Sequence, residues 1–240
     1  MISKNEAKYI QSLSQKKQRD ISGHFVAEGV KLVEEIIQSP IGIHQIFATN
    51  DWVAPNDRSL PIRRVSDTEL ARISSFQTPN KALVIGVIPS YADTGINPNT
   101  FSLALDDIQD PGNLGTLIRI ADWFGIKQIF ASEATVDCFN PKVVQATMGS
   151  IARVQVIYTN LLTALASTTV PSYGALLNGK EMHQYKTVKE GVLVIGNESK
   201  GISTPIAEQL NHSIAIPRSG QAESLNAAVA AGILISYLYR

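Results

Sequence analysis

Short apolar runs that break abruptly into glycine, asparagine and charge are the feature that most restricts this chain. Val192-Leu193-Val194-Ile195 gives way to Gly196-Asn197-Glu198, and Ile214-Ala215-Ile216 to Pro217-Arg218-Ser219-Gly220. Runs this short and β-branched read as strands buried on both faces, which confines them to a sheet covered by helices on each side. In such α/β sheets ligands sit in the crevice outside the strand carboxyl ends, where glycine admits a ligand close to the backbone.

The alternation runs the length of the chain. Residues 3–16 read as a helix opened by Ser3, with Glu6 in capping-box spacing. Strands at 24–27, 43–48, 63–65 and 82–88 alternate with helices at 28–38 and 67–75, and a polar loop holds Pro55 and Asn56. This describes a first α/β domain over 1–90, followed at 91–100 by an aperiodic, turn-rich linker. The second domain, 101–240, has strands at 101–105, 127–131, 154–157, 173–177, 192–195 and 214–216. Asp110-Pro111-Gly112-Asn113 reads as a turn before a helix at 114–124, with further helices at 141–148 and 160–166. The closing helix, 224–239, is apolar nearly all round and needs cover from the core or from a second subunit.

Composition removes several chemistries. One cysteine, Cys138, excludes an intrachain disulfide and fits a reducing compartment. No apolar leader opens the chain, and the longest nearly apolar stretch, 227–239, falls short of the about 20 residues that span a bilayer. A cytoplasmic location with no membrane partner is therefore expected. His24, His44, His183 and His212 are scattered, so no metal site is expected. Gly196 and Gly201 have the glycine spacing of a phosphate loop, but Ile202 stands where its lysine belongs. Net charge is zero; residues 1–90 carry eleven Lys or Arg against nine Asp or Glu, an excess that a solvated helix face explains as well as a phosphate-binding surface. What remains are the loops at Asn178-Gly179, 196–201 and 217–225, rich in backbone groups able to meet a purine edge.

Three motifs in order then resemble the SpoU (TrmH-like) RNA 2′-O-ribose methyltransferases of the SPOUT class. They are Asn113, Gly115, Arg119 and Gly125; Gly196, Asn197, Glu198 and Gly201; and Ile216, Pro217, Ser224, Leu225 and Asn226. The resemblance implies a C-terminal α/β trefoil-knot domain that dimerises through its knot and terminal helix, with S-adenosylmethionine as cofactor. It assigns donor binding to Leu177, Asn178, Gly179, Gly196, Asn197, Gly201, Ile216, Pro217, Ser224 and Leu225. Catalysis falls to Arg119, Asn113, Glu198, Ser224 and Asn226, with Glu198 expected to hold Arg119. The N-terminal half resembles the family's small L30e-like RNA-binding domain through Arg19, Phe25, Glu28 and Gly29; Arg19, Lys16, Lys17, Glu28 and Arg119 are the expected RNA contacts. The implied substrate is structured RNA, ribosomal first because the N-terminal half resembles that of the ribosomal-RNA members, with transfer RNA as the alternative.

Each residue also has a plainer role open to it. Asn113 and Ser224 suit helix caps, Glu198 and Arg119 suit solvent, and Glu28-Gly29 suits a strand-to-helix turn. One departure stands out: Gln145 occupies a position where many relatives carry arginine, which removes a possible phosphate contact. A binding protein that keeps the fold without turnover is the alternative reading.

Overall fold

The computed structural model describes residues 1–53, 59–92 and 95–239. The loop expected around Pro55 and Asn56 lies outside them, as do Asp93 and Thr94 of the linker segment and the terminal Arg240. The chain gathers into two units: Met1–Ser90 with Asp137–Ala152, and Tyr91–Val136 with Arg153–Arg240.

The first unit opens with α1 (Lys4–Ser12), where Ser3 and Glu6 form the expected capping box. The helix expected over 3–16 ends early, at Ser12, and a second helix that was not expected follows it. The chain breaks after Leu13 and restarts as α2 (Lys16–Ser22), ending at Gly23 with φ +68°, a left-handed conformation that glycine adopts without steric cost. The break frees the Leu13 and Ser14 carbonyls, and both accept from Arg19 Nη1, at 2.8 and 3.0 Å. There follow β1 (His24–Glu28), α3 (Val30–Ile37), β2 (Ile43–Ala48), β3 (Ile62–Arg64), α4 (Asp67–Ile73) and β4 (Ala82–Val87). Their sheet has the order β1-β4-β2-β3, with β4 antiparallel to both its neighbours and β3 parallel to β2. Ile10, Leu13, Phe47, Leu70 and Leu83 fill one core on it.

Residues 137–152, placed in the second domain by the sequence, pack within this first unit. Phe139 lays its ring against Phe25 with centroids 4.8 Å apart, and Asp137 Oδ2 accepts from Arg19 Nε at 2.9 Å. Gly149, at φ +101°, passes so close to Glu35 that a Cβ there would stand 2.7 Å from Glu35 Cγ.

In chain order the remaining elements are β5 (Phe101–Asp106), α5 (Pro111–Trp123), β6 (Gln128–Ala131), α6 (Pro141–Thr147, in the first unit), β7 (Gln155–Tyr158) and α7 (Leu161–Ser167). After them come β8 (Ser172–Glu181), β9 (Gly191–Gly196), α8 (Thr204–Ala207), β10 (His212–Ala215) and α9 (Ala227–Leu238). The second unit's six strands are all parallel, in the order β10-β8-β9-β5-β6-β7. Leu103, Ala104, Leu105, Val192, Leu193 and Val194 are wholly buried, the double-sided burial that their unbroken apolar runs require. From β5 the chain moves outward to β6 on one side; from β9, beside it, it moves to β10 on the other. The loops after β5 and β9 therefore diverge and leave a crevice at the strand carboxyl ends.

Two boundaries differ from expectation for local reasons. α5 starts at Pro111, not 114, because Asp110 Oδ1 accepts from Asn113 N and proline suits the first helical turn. α9 is capped by Asn226, whose Oδ1 accepts from Ala228 N and Val229 N; Ser224 lies before it in an extended loop. The short α8 was not expected at all.

Candidate functional site

The crevice is built from the ends of β5, β8, β9 and β10. At the end of β5, buried Asp106 accepts from Ser203 N through Oδ2 at 2.7 Å, which anchors the chain leaving β9. Asp107, next along, takes φ +59°, a costly conformation for a non-glycine residue and one commonly found at functional sites. Its carbonyl accepts from Asn197 Nδ2 at 2.7 Å and its N–H donates to Ser132 Oγ at 2.9 Å, so its neighbours hold it in that conformation.

The loop after β9 closes on itself. Asn197 and Gly201 exchange backbone bonds of 3.0 and 2.9 Å, and Asn197 Oδ1 accepts from Ser199 N and Lys200 N. Gly196 faces the far side of this closed turn: a Cβ on it would lie 2.2 Å from Gly201 C and Ile202 N. Only glycine leaves that approach open. Gly179 is required for the same reason, since its Cβ would meet the Ser213 and Ile214 backbone at 2.7–2.8 Å. It sits where the β8–β10 pairing jumps from Ser213↔Gly174 to Ile214↔Lys180.

Between these loops and the start of α9 lies a cleft of about 710 Å³, within the range of small-molecule sites. Every residue expected to hold the donor lines it except Gly179, which is pressed against β10 instead. Leu177 and Leu225 stand exposed at its rim, 78% and 48% accessible, apolar surface available for a flat ring to cover.

Beside the cleft the three motifs meet through side chains. Asn226 Nδ2 donates to Asn113 Oδ1 at 2.8 Å, and Asn113 Nδ2 donates to Glu198 Oε1 at 2.8 Å. The three stand after different strands, Asn226 as the cap of α9 after β10, Asn113 in the first turn of α5 after β5 and Glu198 in the turn after β9, and sequence separations of 113 and 85 are closed by single bonds. Glu198 also receives a long bond from Asp110 N, 3.4 Å. Each asparagine amide keeps one N–H unused by this chain of bonds.

Arg119 is not part of it. Glu198, expected to hold this arginine, is bonded to Asn113 instead, and Arg119 stands exposed on α5 with no hydrogen bond or ion pair among the described residues. It does not line the cleft. Ser224 does line it, and Glu198 reaches it from the other side.

The expected RNA contacts of the first unit divide. Arg19 is 1% exposed, its guanidinium directed to Asp137 and to the Leu13 and Ser14 carbonyls, which makes it an interior brace and corrects its assignment to an RNA-facing surface. Glu28 is likewise buried; it accepts from Ser74 Oγ, Ser75 N and Ser75 Oγ at 2.6–2.8 Å and so fixes the turn after α4. Lys16 and Lys17 are exposed, Lys16 paired with Asp20 one turn on. Gln145 lies on α6.

Arg218 and Glu223 also line the cleft, and sequence reasoning passed over both. The available signal was their placement inside the third motif's loop, between Pro217 and Ser224.

Comparison with known proteins divides the chain into an N-terminal and a C-terminal match, the latter running through residues 137–152. Residues 100–236 match the SpoU rRNA Methylase family and residues 4–84 the MRM3-like substrate binding domain. The 23S rRNA (guanosine(2553)-2'-O)-methyltransferase RlmP of Bacillus subtilis is 32% identical over 232 residues, covering 94% of this chain and 92% of its own. A TrmH-family structure from Porphyromonas gingivalis superposes with a TM-score of 0.87 at 33% identity, covering 100% of this chain and 98% of that one. The AdoMet-bound rRNA methyltransferase from Sinorhizobium meliloti gives 0.86 at 28%, covering 98% and 95%.

Proposed function

The chain belongs to the SpoU rRNA Methylase family, and from that premise we propose that it methylates a ribose 2′-hydroxyl of structured ribosomal RNA with S-adenosylmethionine as donor. The observation that carries this reading is the Asn226–Asn113–Glu198 chain of bonds, which joins the three motifs at the rim of one cleft.

The cleft suits the donor's adenosine. Gly196 lets the Asn197–Gly201 turn pack directly against the end of β9, where any side chain would push it away, and Ile216, Leu225 and Leu177 supply apolar walls. When bound, S-adenosylmethionine supplies an activated methyl group that carries its own leaving group. The chain's task is to orient an incoming oxygen. The free N–H of Asn113 and that of Asn226 are fixed by their partners and point a ribose oxygen without rearrangement. Ser224 lines the same cleft and offers a hydroxyl. Arg119 carries a planar guanidinium that donates hydrogen bonds and accepts none, so its role is to clamp the neighbouring phosphate and stabilise charge developing on the oxygen.

Arg119 has no hydrogen-bond or ion-pair partner among the described residues and does not line its own cleft, which supports a homodimer in which it serves the partner subunit's cleft. α5 packs along α9, and both leave apolar or cationic groups outward, Val229 on α9 and Arg119 with Trp123 on α5. The trefoil knot belongs to the same proposal, supported by Gly179 lying directly on the backbone of β10. In the first unit, for which we retain the L30e-like RNA-reading role, Lys16 and Lys17 rather than Arg19 and Glu28 meet RNA. No helix among the described residues is long and apolar enough to cross a membrane, and a cytoplasmic site of action accords with an RNA substrate.

The test is transfer of tritiated methyl from the donor to cellular RNA, followed by alkaline hydrolysis. Label in alkali-resistant dinucleotides of ribosomal RNA is the expected result. Label in transfer RNA changes the substrate, alkali-labile label moves the reaction to a base, and donor binding without transfer makes the chain a binding protein. Arg119→Ala is expected to lower transfer about 100-fold or more with donor affinity nearly unchanged.

A further inference from the structure

Four charged side chains line the cleft: Glu198, Lys200, Arg218 and Glu223. Glu198 is committed to Asn113. Lys200 stands on the β9 loop and has no counter-charge within ion-pair distance among the described residues. Arg218 and Glu223 share the loop between β10 and α9. Arg218 Nη1 donates to Ala222 O at 3.2 Å, which folds the guanidinium back against the residue next to Glu223. The two opposite charges thus stand on one loop of one cleft and form no ion pair, and the remaining guanidinium donors have no partner among the described residues.

We infer that Arg218 and Glu223 together seat the zwitterionic amino-acid end of the methyl donor, Arg218 taking the α-carboxylate and Glu223 the α-ammonium. The inference rests on the methyltransferase reading and deepens it. A phosphate of the RNA is the other anion such a cleft meets, but Glu223 on the same loop repels it, whereas a zwitterion is served by both signs in one cleft. Arginine offers a planar fork that matches a carboxylate with two parallel bonds, and tethering one nitrogen to Ala222 O orients the rest. Neither side chain touches the Asn226–Asn113–Glu198 chain of bonds, so the pair sorts ligands by their tail without taking part in methyl transfer.

Two probes isolate that tail. S-adenosylhomocysteine and 5′-methylthioadenosine share the thioadenosine half and differ in the amino-acid end. By calorimetry the full chain is expected to bind S-adenosylhomocysteine at least tenfold more tightly. Arg218→Ala and Glu223→Gln should each lower that affinity about tenfold, the size of one charge-assisted bond, and leave 5′-methylthioadenosine unchanged. Arg218→Lys should recover part of the loss. Equal weakening of both ligands would assign the residues to folding of the loop and overturn the inference. So would unchanged S-adenosylhomocysteine affinity, or a loss confined to salt-dependent RNA binding, which would make Arg218 a phosphate contact. If the unmodified chain binds neither probe, the methyltransferase reading itself fails; if it binds both as expected and the variants behave like it, only the present inference does.

Discussion

The two units treat their motif-matching residues in opposite ways. In the first, Arg19 and Glu28 turn inward and each nitrogen of the guanidinium and each oxygen of the carboxylate holds backbone or loops in place. In the second, Asn113, Glu198 and Asn226 come to the surface, bond to one another and still keep hydrogen-bonding capacity to spare, while Arg119, Arg218 and Glu223 stand open. A polar residue that matches a family pattern can be kept for the fold or for the ligand, and burial separates the two. An interior charge costs several kcal/mol if its partner is lost, so its identity is fixed by stability alone.

That contrast sets a graded series of tests. The largest effect on stability should come from Arg19→Met, which takes the guanidinium away from Asp137, a mostly buried carboxylate. A loss of about 3 kcal/mol is expected in chemical denaturation, with affinity for S-adenosylhomocysteine unchanged once the chain is folded. A variant that folds normally but loses RNA binding would return Arg19 to the substrate surface. Next, Asn113→Ala removes the middle of the Asn226–Asn113–Glu198 chain at a surface site. Methyl transfer should fall about 100-fold while the melting temperature shifts by only a few degrees. If stability collapses instead, the two units do not differ in the way described. Gly196→Ala should force the Asn197–Gly201 turn away from β9 and lower donor affinity about tenfold or more, seen by calorimetry, with the first unit's unfolding transition unmoved.

The smallest effect is in acid. Backbone N–H bonds from Ser66 and Ile2 hold the Glu69 carboxyl down to about 2. A depressed carboxyl contributes stability that is full above its unfolded value near 4.5 and fades as pH falls toward 2. Glu69→Gln should therefore cost a small amount of stability at neutral pH and flatten the first unit's acid limb between those values. An unchanged slope would show that this exposed carboxylate is screened to insignificance.

The sequence made the parallel sheet of the second unit legible because its strands are doubly buried and carry their own signal in Val192–Ile195 and Phe101–Leu105. It also showed which loops would converge, since glycine and asparagine after a buried strand have few other uses. It could not show the bonding among them. Pairing Glu198 with Arg119 followed from opposite charge, but the geometry of two adjacent parallel strands brings Glu198 to the first turn of α5, where Asn113 stands, and leaves Arg119 more than a turn further along. The break between α1 and α2 was hidden because no proline or glycine marks it; a side chain, Arg19, captures the freed carbonyls, and that is a tertiary event. The same arginine looked like a surface cation because its partner, Asp137, lies 118 residues away.

That separation has a consequence for how the chain comes into being and how it could be rearranged. The first unit is not a continuous stretch: its completion waits for residues 137–152, so during synthesis the segment up to Ser90 emerges with Arg19 lacking its counter-ion until β5, α5 and β6 of the second unit have also been made. Cutting or grafting at residue 90, the natural place to exchange one RNA-reading module for another, separates Arg19 from Asp137 and Phe25 from Phe139. Any donor module must bring its own version of the inserted helix or find a replacement for it, which ties the inheritance of the reading half to that of the catalytic half.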